Sequence, residues 1–207
     1  MAIAALIARQ LRKPSGFIGK VLTARLLNRV NAPMNQLTLQ LLDLNADDHV
    51  LEVGFGGGDL INRMASAVTR GRIAGVDFSP EMVEVCARRF APLVAAGQVE
   101  LRCASAEDLP YGAEHFTKAC TVNTIYFWPD PLVALAELRR TLRDSGRLVV
   151  SFNPQATAQK LPYTRHDFRL YDAHQVQHLL EEVGFRDIQL VPGAHRIGEF
   201  VCAVCTK

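Results

Sequence analysis

Two acidic residues and a cluster of glycines are the part of this chain best suited to hold a ligand. Glu52 lies in a short apolar run, residues 49–53, and glycines occupy positions 54 and 56–58 directly after it. A second apolar run ends at another acid, Asp77. Ligands of open α/β sheets bind beyond the carboxyl ends of the strands, where such loops lie. The two acids around the glycine loop therefore predict a nucleoside-binding site.

The spacing of the glycines separates two classes of nucleoside site. Dinucleotide-binding dehydrogenases use G-x-G-x-x-G, whose turn cradles a pyrophosphate at a helix N-terminus. Here Asp59 holds the position of the third glycine, and a carboxylate there disfavours a phosphate. Glu52, two residues before Gly54, suits a cationic ligand without phosphate, such as S-adenosylmethionine with its ammonium and sulfonium. A plain glycine-rich turn and a nicotinamide oxidoreductase remain the alternatives.

The order of the predicted elements indicates the fold. Apolar strands alternate with helical stretches, which is typical of a parallel sheet covered on both faces. The last two strands have no helix between them and can pair antiparallel. We therefore expect an α/β, Rossmann-like, doubly wound sheet, mostly parallel with one antiparallel C-terminal strand. The predicted strands span residues 50–53, 73–76, 99–103, 117–122, 147–152, 186–191 and 199–205, and the predicted helices span 59–68, 80–95, 131–142 and 172–183.

The N-terminal segment carries charge of one sign, because all 21 acidic residues come after position 42. We expect residues 1–45 to form a helical cap that belongs to the same domain as the sheet at 46–207. Asn31 is expected to cap the helix that begins near Pro33. A surface for anionic lipid or an acidic substrate is an alternative, and so is an organellar transit peptide. The basic residues of this segment are Arg9, Arg12, Lys13, Lys20, Arg25 and Arg29.

The composition favours a single cytoplasmic domain. The net charge of +2 is too small to indicate nucleic acid as a partner. The five cysteines are an odd number scattered through predicted core elements, which favours reduced thiols. Cys202 and Cys205 fall on one predicted strand, where an offset of three places them on opposite faces. We therefore expect them to be structural rather than redox or metal-binding residues.

Several ordered motifs carry a resemblance to a known family. Glu52 with the glycine loop, the segment at 75–82 and the segment at 105–110 follow one another as they do in class I S-adenosylmethionine-dependent methyltransferases. The segment at 135–148 resembles the family's helix, turn and strand, with Ser145 where a second glycine is more common. The chain is most similar to the small-molecule branch that includes the ubiquinone and menaquinone biosynthesis C-methyltransferases.

The resemblance implies roles for individual residues toward S-adenosylmethionine. Asp77 would accept hydrogen bonds from both ribose hydroxyls, and Phe78 and Met82 would pack on the adenine. The Ala106 backbone N–H and the side chain of Glu107 or Asp108, with Glu107 preferred, would hydrogen-bond the adenine edge. Asn123 would meet the methionine part near the methyl group. The full predicted cofactor set is Glu52, Gly54, Phe55, Gly56, Gly58, Asp77, Phe78, Met82, Ser105, Ala106, Glu107, Asn123 and Thr124.

The acceptor side is less well defined by the sequence. The aromatic stretch at 124–130 follows the fourth strand, so Tyr126 and Trp128 are expected to form a wall of the acceptor site. The alternative is that these aromatic residues belong to the hydrophobic core. Tyr163 and Arg165 belong to a loop expected to overhang the pocket. His166 and His195 are the candidate general bases, with a surface role as the alternative. His174 and His178 are expected on an exposed helix face, and no metal site is predicted.

These inferences converge on a methyl transfer to a small-molecule acceptor by in-line displacement, yielding S-adenosylhomocysteine. Two alternatives stay open: a lipid or quinone methyltransferase at the membrane surface, and a non-catalytic protein that binds S-adenosylmethionine. We expect no nucleic-acid partner, a monomer or homodimer, and peripheral membrane contact only through the basic N-terminus.

Overall fold

A computed structural model describes residues 31–165 and 168–207 of the chain. Within these residues the core of the fold is a seven-stranded sheet. Its strands are β1 (His49–Val53), β2 (Arg72–Asp77), β3 (Val99–Cys103), β4 (Phe116–Val122), β5 (Leu142–Phe152), β6 (Arg186–His195) and β7 (Gly198–Thr206). They lie in the order β3-β2-β1-β4-β5-β7-β6.

The direction of the strands confirms the predicted fold class. β1 pairs in parallel with both β2 and β4, and β5 pairs in parallel with β4. β7 is inserted between β5 and β6 and is antiparallel to both. The strand order reverses between β1 and β4, and this reversal creates the crevice where ligands of doubly wound sheets bind.

Helices cover both faces of the sheet. The described helices are α1 (Ala32–Leu42), α2 (Asp59–Ala67), α3 (Pro80–Arg89), α4 (Ala91–Ala95), α5 (Pro131–Thr141), α6 (Gln155–Ala158) and α7 (Ala173–Glu182). The first three bury Met34, Ile61 and Met82 against one face. α5 and α7 bury Leu135 and Leu180 against the other. Burial of each such side chain contributes roughly 1.5–3 kcal/mol to the stability of the folded protein.

Two predicted elements differ in the structure, for local reasons. The helix predicted at 80–95 is divided at Phe90 into α3 and α4, because Pro92 has no N–H to continue the helical ladder. The turn predicted at 144–146 is an irregularity within β5, which begins at Leu142. The pairing with β4 shifts between Phe116 and Lys118, and Ser145 has a φ of 61°.

The C-terminal hairpin is longer than the sequence predicts, and its turn lies later in the chain. Pro192 and Gly193, expected in the turn, are part of β6. β6 is the edge strand, where proline is tolerated because no neighbour needs its N–H. A Cβ on Gly193 would lie 2.2 Å from the ring of Phe200 on β7, so glycine makes room for that ring.

Other expectations have mixed outcomes. Cys202 and Cys205 are free, buried and part of the cores on opposite faces of the sheet, as predicted. The helices predicted within residues 1–30 lie outside the described residues. In the part of the chain that the structure describes, no helix has the length and apolar character needed to cross a membrane.

Candidate active site

A cavity of about 510 Å³ opens at the carboxyl ends of β1, β2 and β4. One end is lined by the glycine loop after β1 and by the last residue of β2. The other end is lined by aromatic rings and asparagine side chains that follow β4 and β5. The cavity therefore lies at the reversal of strand order, as expected for a doubly wound sheet.

The glycine loop requires glycine for two different reasons. Gly54 has a φ of 77° and donates its N–H to Val76 O at 2.7 Å, and a Cβ there would lie 2.1 Å from Cγ2 of Thr124. Gly58 does not line the cavity. A Cβ on Gly58 would lie 2.6 Å from the ring of Phe90, so this glycine allows α3 to approach the loop.

Asp77 ties the loop to the end of β2. Its Oδ2 accepts a hydrogen bond from Gly56 N, and its Oδ1 accepts one from Ser79 N, both at 2.9 Å. Burial raises the pKa of Asp77, and these two backbone hydrogen bonds act in the opposite direction. Each oxygen retains a further lone pair, so the carboxylate can still accept hydroxyl groups from a ligand in the cavity.

Glu52 is a buried carboxyl group that lacks a full set of partners. It pairs in register with Gly75 on β2 and Cys120 on β4, so small neighbours flank its side chain. Its Oε2 has no hydrogen-bond partner, although the residue lines the cavity. Burial, helped by the charges of Asp77 and Asp59, raises its pKa to about 8. Such an atom is suited to receive a ligand's positive group.

Asp59 brings a third acid to the same end. It is the first residue of α2, and its Oδ2 accepts hydrogen bonds from Asn35 Nδ2 at 3.0 Å and from Arg63 Nε at 2.8 Å. Asp59 and Asn35 both line the cavity. Three carboxyl groups on one wall disfavour a phosphate there, which agrees with the argument from the glycine spacing.

Most residues predicted at the adenine end lie together. Phe78 is 46% exposed and Met82 is buried, and both line the cavity with Ser105 and Ala106. Glu107 is different: it does not line the cavity, and its Oε1 accepts the N–H of Asp130 at 2.6 Å. Its predicted contact with the adenine edge stays a prediction.

Aromatic rings form the walls of the other end. Tyr126, Trp128 and Tyr163 line the cavity there, in agreement with their predicted positions. Phe127 and Phe168 join them, with their ring centroids 4.6 Å apart, and were not singled out from the sequence. Arg165 is exposed and does not line the cavity.

A chain of side-chain amides runs beside these rings. Asn123, with a φ of 57°, donates from Nδ2 to Asn31 Oδ1 at 2.9 Å. Its own Oδ1 accepts from Asn153 Nδ2 at 3.2 Å and from the Tyr126 hydroxyl at 3.1 Å. Asn31 occupies the N-cap position of α1 but makes no side-chain cap hydrogen bond, because its oxygen serves Asn123 instead.

His195 is the candidate base that the described residues include. His195 does not line the cavity, and its Nε2 lies 2.7 Å from Asn153 Oδ1. His166 lies outside the described residues. The pKa of Tyr126 is raised strongly by burial, so its phenol stays protonated. The assignment of a base to His166 or His195 stays a prediction.

Residues 51–150 match the family described as "Methyltransferase domain". This range contains the last three residues of β1, all of β2 to β4 and most of β5, and thus the glycine loop, Asp77 and the residues after β4. The match therefore includes both ends of the cavity except for the segments contributed by α1 and by the chain after β5.

Individual proteins extend this similarity. The chain is 31% identical to "O-methyltransferase cnsE" of Penicillium expansum, over 69% of this chain and 54% of that protein. It is 29% identical to "Ubiquinone/menaquinone biosynthesis C-methyltransferase UbiE" of Citrifermentans bemidjiense, over 60% of this chain and 56% of that one. The chain thus spans about half the length of these two curated relatives.

The fold is also that of a solved structure, described as a SAM-dependent methyltransferase from Aquifex aeolicus. The two superpose with a TM-score of 0.72 at 20% identity, over 86% of this chain and 92% of that one. The likeness confirms the architecture of the sheet and its covering helices.

Proposed function

We propose that this chain, which belongs to the class I S-adenosylmethionine-dependent methyltransferases, transfers a methyl group to a small-molecule acceptor. The observation that carries the proposal is the polarity of the cavity. One end holds the carboxyl groups of Glu52 and Asp77, and the other holds aromatic rings and neutral amides. A cationic cofactor and an apolar acceptor can therefore lie end to end.

The acidic end fits the cofactor by the chemistry of its groups. The unpartnered Oε2 of Glu52 suits the positive charge of the methionine part, and the free lone pairs of Asp77 suit two ribose hydroxyls. Phe78 offers an exposed apolar face for the adenine. When bound, S-adenosylmethionine supplies an electrophilic methyl group.

The chain's own residues then act by orientation and exclusion of water. The rings of Tyr126, Trp128 and Phe168 form an apolar wall against which the acceptor can be held for attack opposite the sulfur. Orientation of this kind supplies roughly 7–11 kcal/mol of the barrier. An acceptor that ionises by itself needs no general base, whereas a neutral hydroxyl or amine would gain roughly 10²–10⁴-fold from one.

Calorimetric titration with S-adenosylmethionine and S-adenosylhomocysteine tests the cofactor part of the proposal. Binding of neither compound would contradict it. Incubation with methyl-labelled cofactor and a small-molecule extract of the source organism tests the transfer itself. Label in an extractable small molecule is the expected result. Binding without transfer to any extract component would favour a non-catalytic binding protein instead.

The sequence favours a second candidate, methylation of a lipid or quinone at a membrane surface. The supporting observation is the run of basic residues without an acid before position 42. Binding to vesicles that contain anionic phosphatidylglycerol, weakened by salt and lost on deleting residues 1–30, is expected for this candidate. No binding to these vesicles at low salt would remove it.

A further inference from the structure

A backbone N–H in the C-terminal hairpin determines the tautomer of His195. Ile197 N donates to His195 Nδ1 at 3.2 Å. Because a backbone amide can only donate, Nδ1 must accept and cannot carry a hydrogen. The imidazole therefore carries its hydrogen on Nε2, and it donates that hydrogen to Asn153 Oδ1 at 2.7 Å.

This single constraint fixes the direction of every hydrogen bond in the amide chain. With Oδ1 of Asn153 accepting from His195, its Nδ2 is the group that donates to Asn123 Oδ1. Asn123 must then donate from Nδ2 to Asn31 Oδ1. The direction of the whole chain therefore follows from the backbone N–H of Ile197.

The direction of these hydrogen bonds determines which donors and acceptors of the three asparagines remain available to a ligand. The side-chain oxygens of all three asparagines are engaged within the chain. Each amide nitrogen has two hydrogens. Asn123 and Asn153 use one each, and the Asn31 side-chain nitrogen makes no hydrogen bond to another described residue. All three residues line the cavity. Asn31 Oδ1 and Asn153 Oδ1 accept one hydrogen bond each and keep one lone pair each. The unused N–H groups, two on Asn31 and one each on Asn123 and Asn153, therefore outnumber the unused lone pairs of this chain.

The Tyr126 hydroxyl adds no acceptor to this set. It accepts the N–H of Asn153 and directs its own hydrogen toward Asn123 Oδ1 or Asn153 O, each at 3.1 Å. The other polar groups of the aromatic wall are the Tyr163 hydroxyl, which can donate or accept, and the Trp128 indole N–H, which can only donate. The acceptor end thus combines flat hydrophobic surface with an excess of N–H donors over oxygen acceptors in the described chain of amides.

We propose that His195 is a positioning residue that orients the amide chain, and that the chain selects an acceptor bearing a carbonyl, phenolate or enolate oxygen. The oxygen would receive the free N–H groups of Asn31, Asn123 or Asn153, while the acceptor's apolar body packs on the rings. This inference rests on the proposed function, since it specifies what occupies the acceptor end of the same cavity.

A pair of isosteric ligands tests the selectivity without turnover. Acetylnaphthalene carries a carbonyl oxygen where isopropenylnaphthalene carries a CH₂ group, and the two are otherwise matched in shape. We expect the wild-type protein, saturated with S-adenosylhomocysteine, to bind acetylnaphthalene roughly tenfold more tightly, as one or two net hydrogen bonds predict. Equal affinities, or no binding of either compound, would overturn the proposal.

Two variants separate positioning from other roles of His195. His195→Phe keeps a ring that can stack on Phe200, now 5.5 Å away between centroids, but removes the donor to Asn153. It should lose the preference for the carbonyl ligand. His195→Gln retains an N–H donor at similar reach and no titratable ring, and it should keep most of the preference.

Loss of the preference in both variants, or in neither, would overturn the positioning role. Titration of each variant with S-adenosylhomocysteine keeps the two proposals distinguishable. Failure of wild-type protein to bind that compound would contradict the proposed function. Normal binding of that compound, without the carbonyl preference, would contradict only the inference about the acceptor.

Discussion

Oδ2 of Asp77 accepts the backbone N–H of Gly56 at 2.9 Å across a sequence separation of 21 residues. The same carboxylate that is expected to hold the ribose therefore also holds the loop around it. Replacing Asp77 affects both functions together, and the variants must be chosen accordingly.

Asp77→Ala is expected to weaken S-adenosylhomocysteine binding by roughly 100-fold, because hydrogen bonds to a charged group contribute about 1.5–3 kcal/mol each. Asp77→Asn keeps one oxygen acceptor and should lose less affinity. Calorimetric titration measures both, and circular dichroism verifies that the fold persists. The exposed Asp47→Ala serves as the matched control and should bind as wild type does. An unchanged dissociation constant for Asp77→Ala would show that the ribose assignment is wrong.

Glu52→Gln is expected to make the protein more stable at alkaline pH. The pKa of Glu52 is raised from 4.5 to about 8 in the folded protein. Between these values the folded state binds more protons than the unfolded state, so wild-type stability falls as pH rises. Glutamine removes that loss and should add about 4–5 kcal/mol to the unfolding free energy at pH 8.5, since each pKa unit corresponds to about 1.4 kcal/mol.

Urea denaturation at pH 8.5 and at pH 4.5 measures this difference, which should nearly vanish at the lower pH. Glu182→Gln, at an exposed position of α7, provides the control. Glu52→Gln should also bind S-adenosylmethionine more weakly than the wild-type protein does. Wild-type binding at pH 7 should release about one proton, seen as a dependence of the binding enthalpy on the buffer. A buffer-independent enthalpy would argue against ionisation of Glu52 by the ligand.

Gly54→Ala is expected to destabilise the protein, since its Cβ would lie 2.1 Å from Thr124 Cγ2 and its φ of 77° is strained for alanine. A loss of roughly 1–3 kcal/mol in unfolding free energy is expected. The double variant with Thr124→Ser removes the clashing methyl and should recover part of the loss. Additive effects of the two substitutions would mean that the predicted clash is absent.

Phe78→Ala should reduce affinity for S-adenosylhomocysteine by roughly tenfold with little change in stability. The side chain is 46% exposed, so its removal leaves no cavity in the core, whereas its apolar face is lost to the adenine. Val133→Ala, at a residue 44% exposed and outside the cavity, is the control for removing exposed apolar surface. Equal affinities of the two variants would contradict the adenine assignment.

The strands and the two acids could be predicted because their signals are local. The apolar runs define the strands, and an acid at the end of each run comes to the same edge of a parallel sheet. The position of Glu107 shows the limit of such reasoning. Its carboxylate accepts the N–H of Asp130 beside the start of α5, and a polar residue in a loop does not reveal which of two nearby partners it will take.

The amide chain could not be found from the sequence, because its members are far apart. Asn31 and Asn123 are separated by 92 residues, and Asn153 lies 30 residues further along. Asparagine at 31 resembled an ordinary helix cap, since Pro33 follows it. The deciding contact exists only in three dimensions. Asn31, at the start of α1, accepts a hydrogen bond from Asn123 after β4, and its side chain does not cap the helix.

The insertion of β7 between β5 and β6 has a consequence for how this scaffold can diversify. Because β7 runs antiparallel, β6 runs with the other strands, and the tip of the hairpin arrives at the same edge as the cofactor end of the cavity. His195 and Ile197 both belong to that tip. Substitutions in a few residues of the tip can thus change acceptor preference while β1 and β2 stay untouched, which makes the two halves of the reaction separately adaptable.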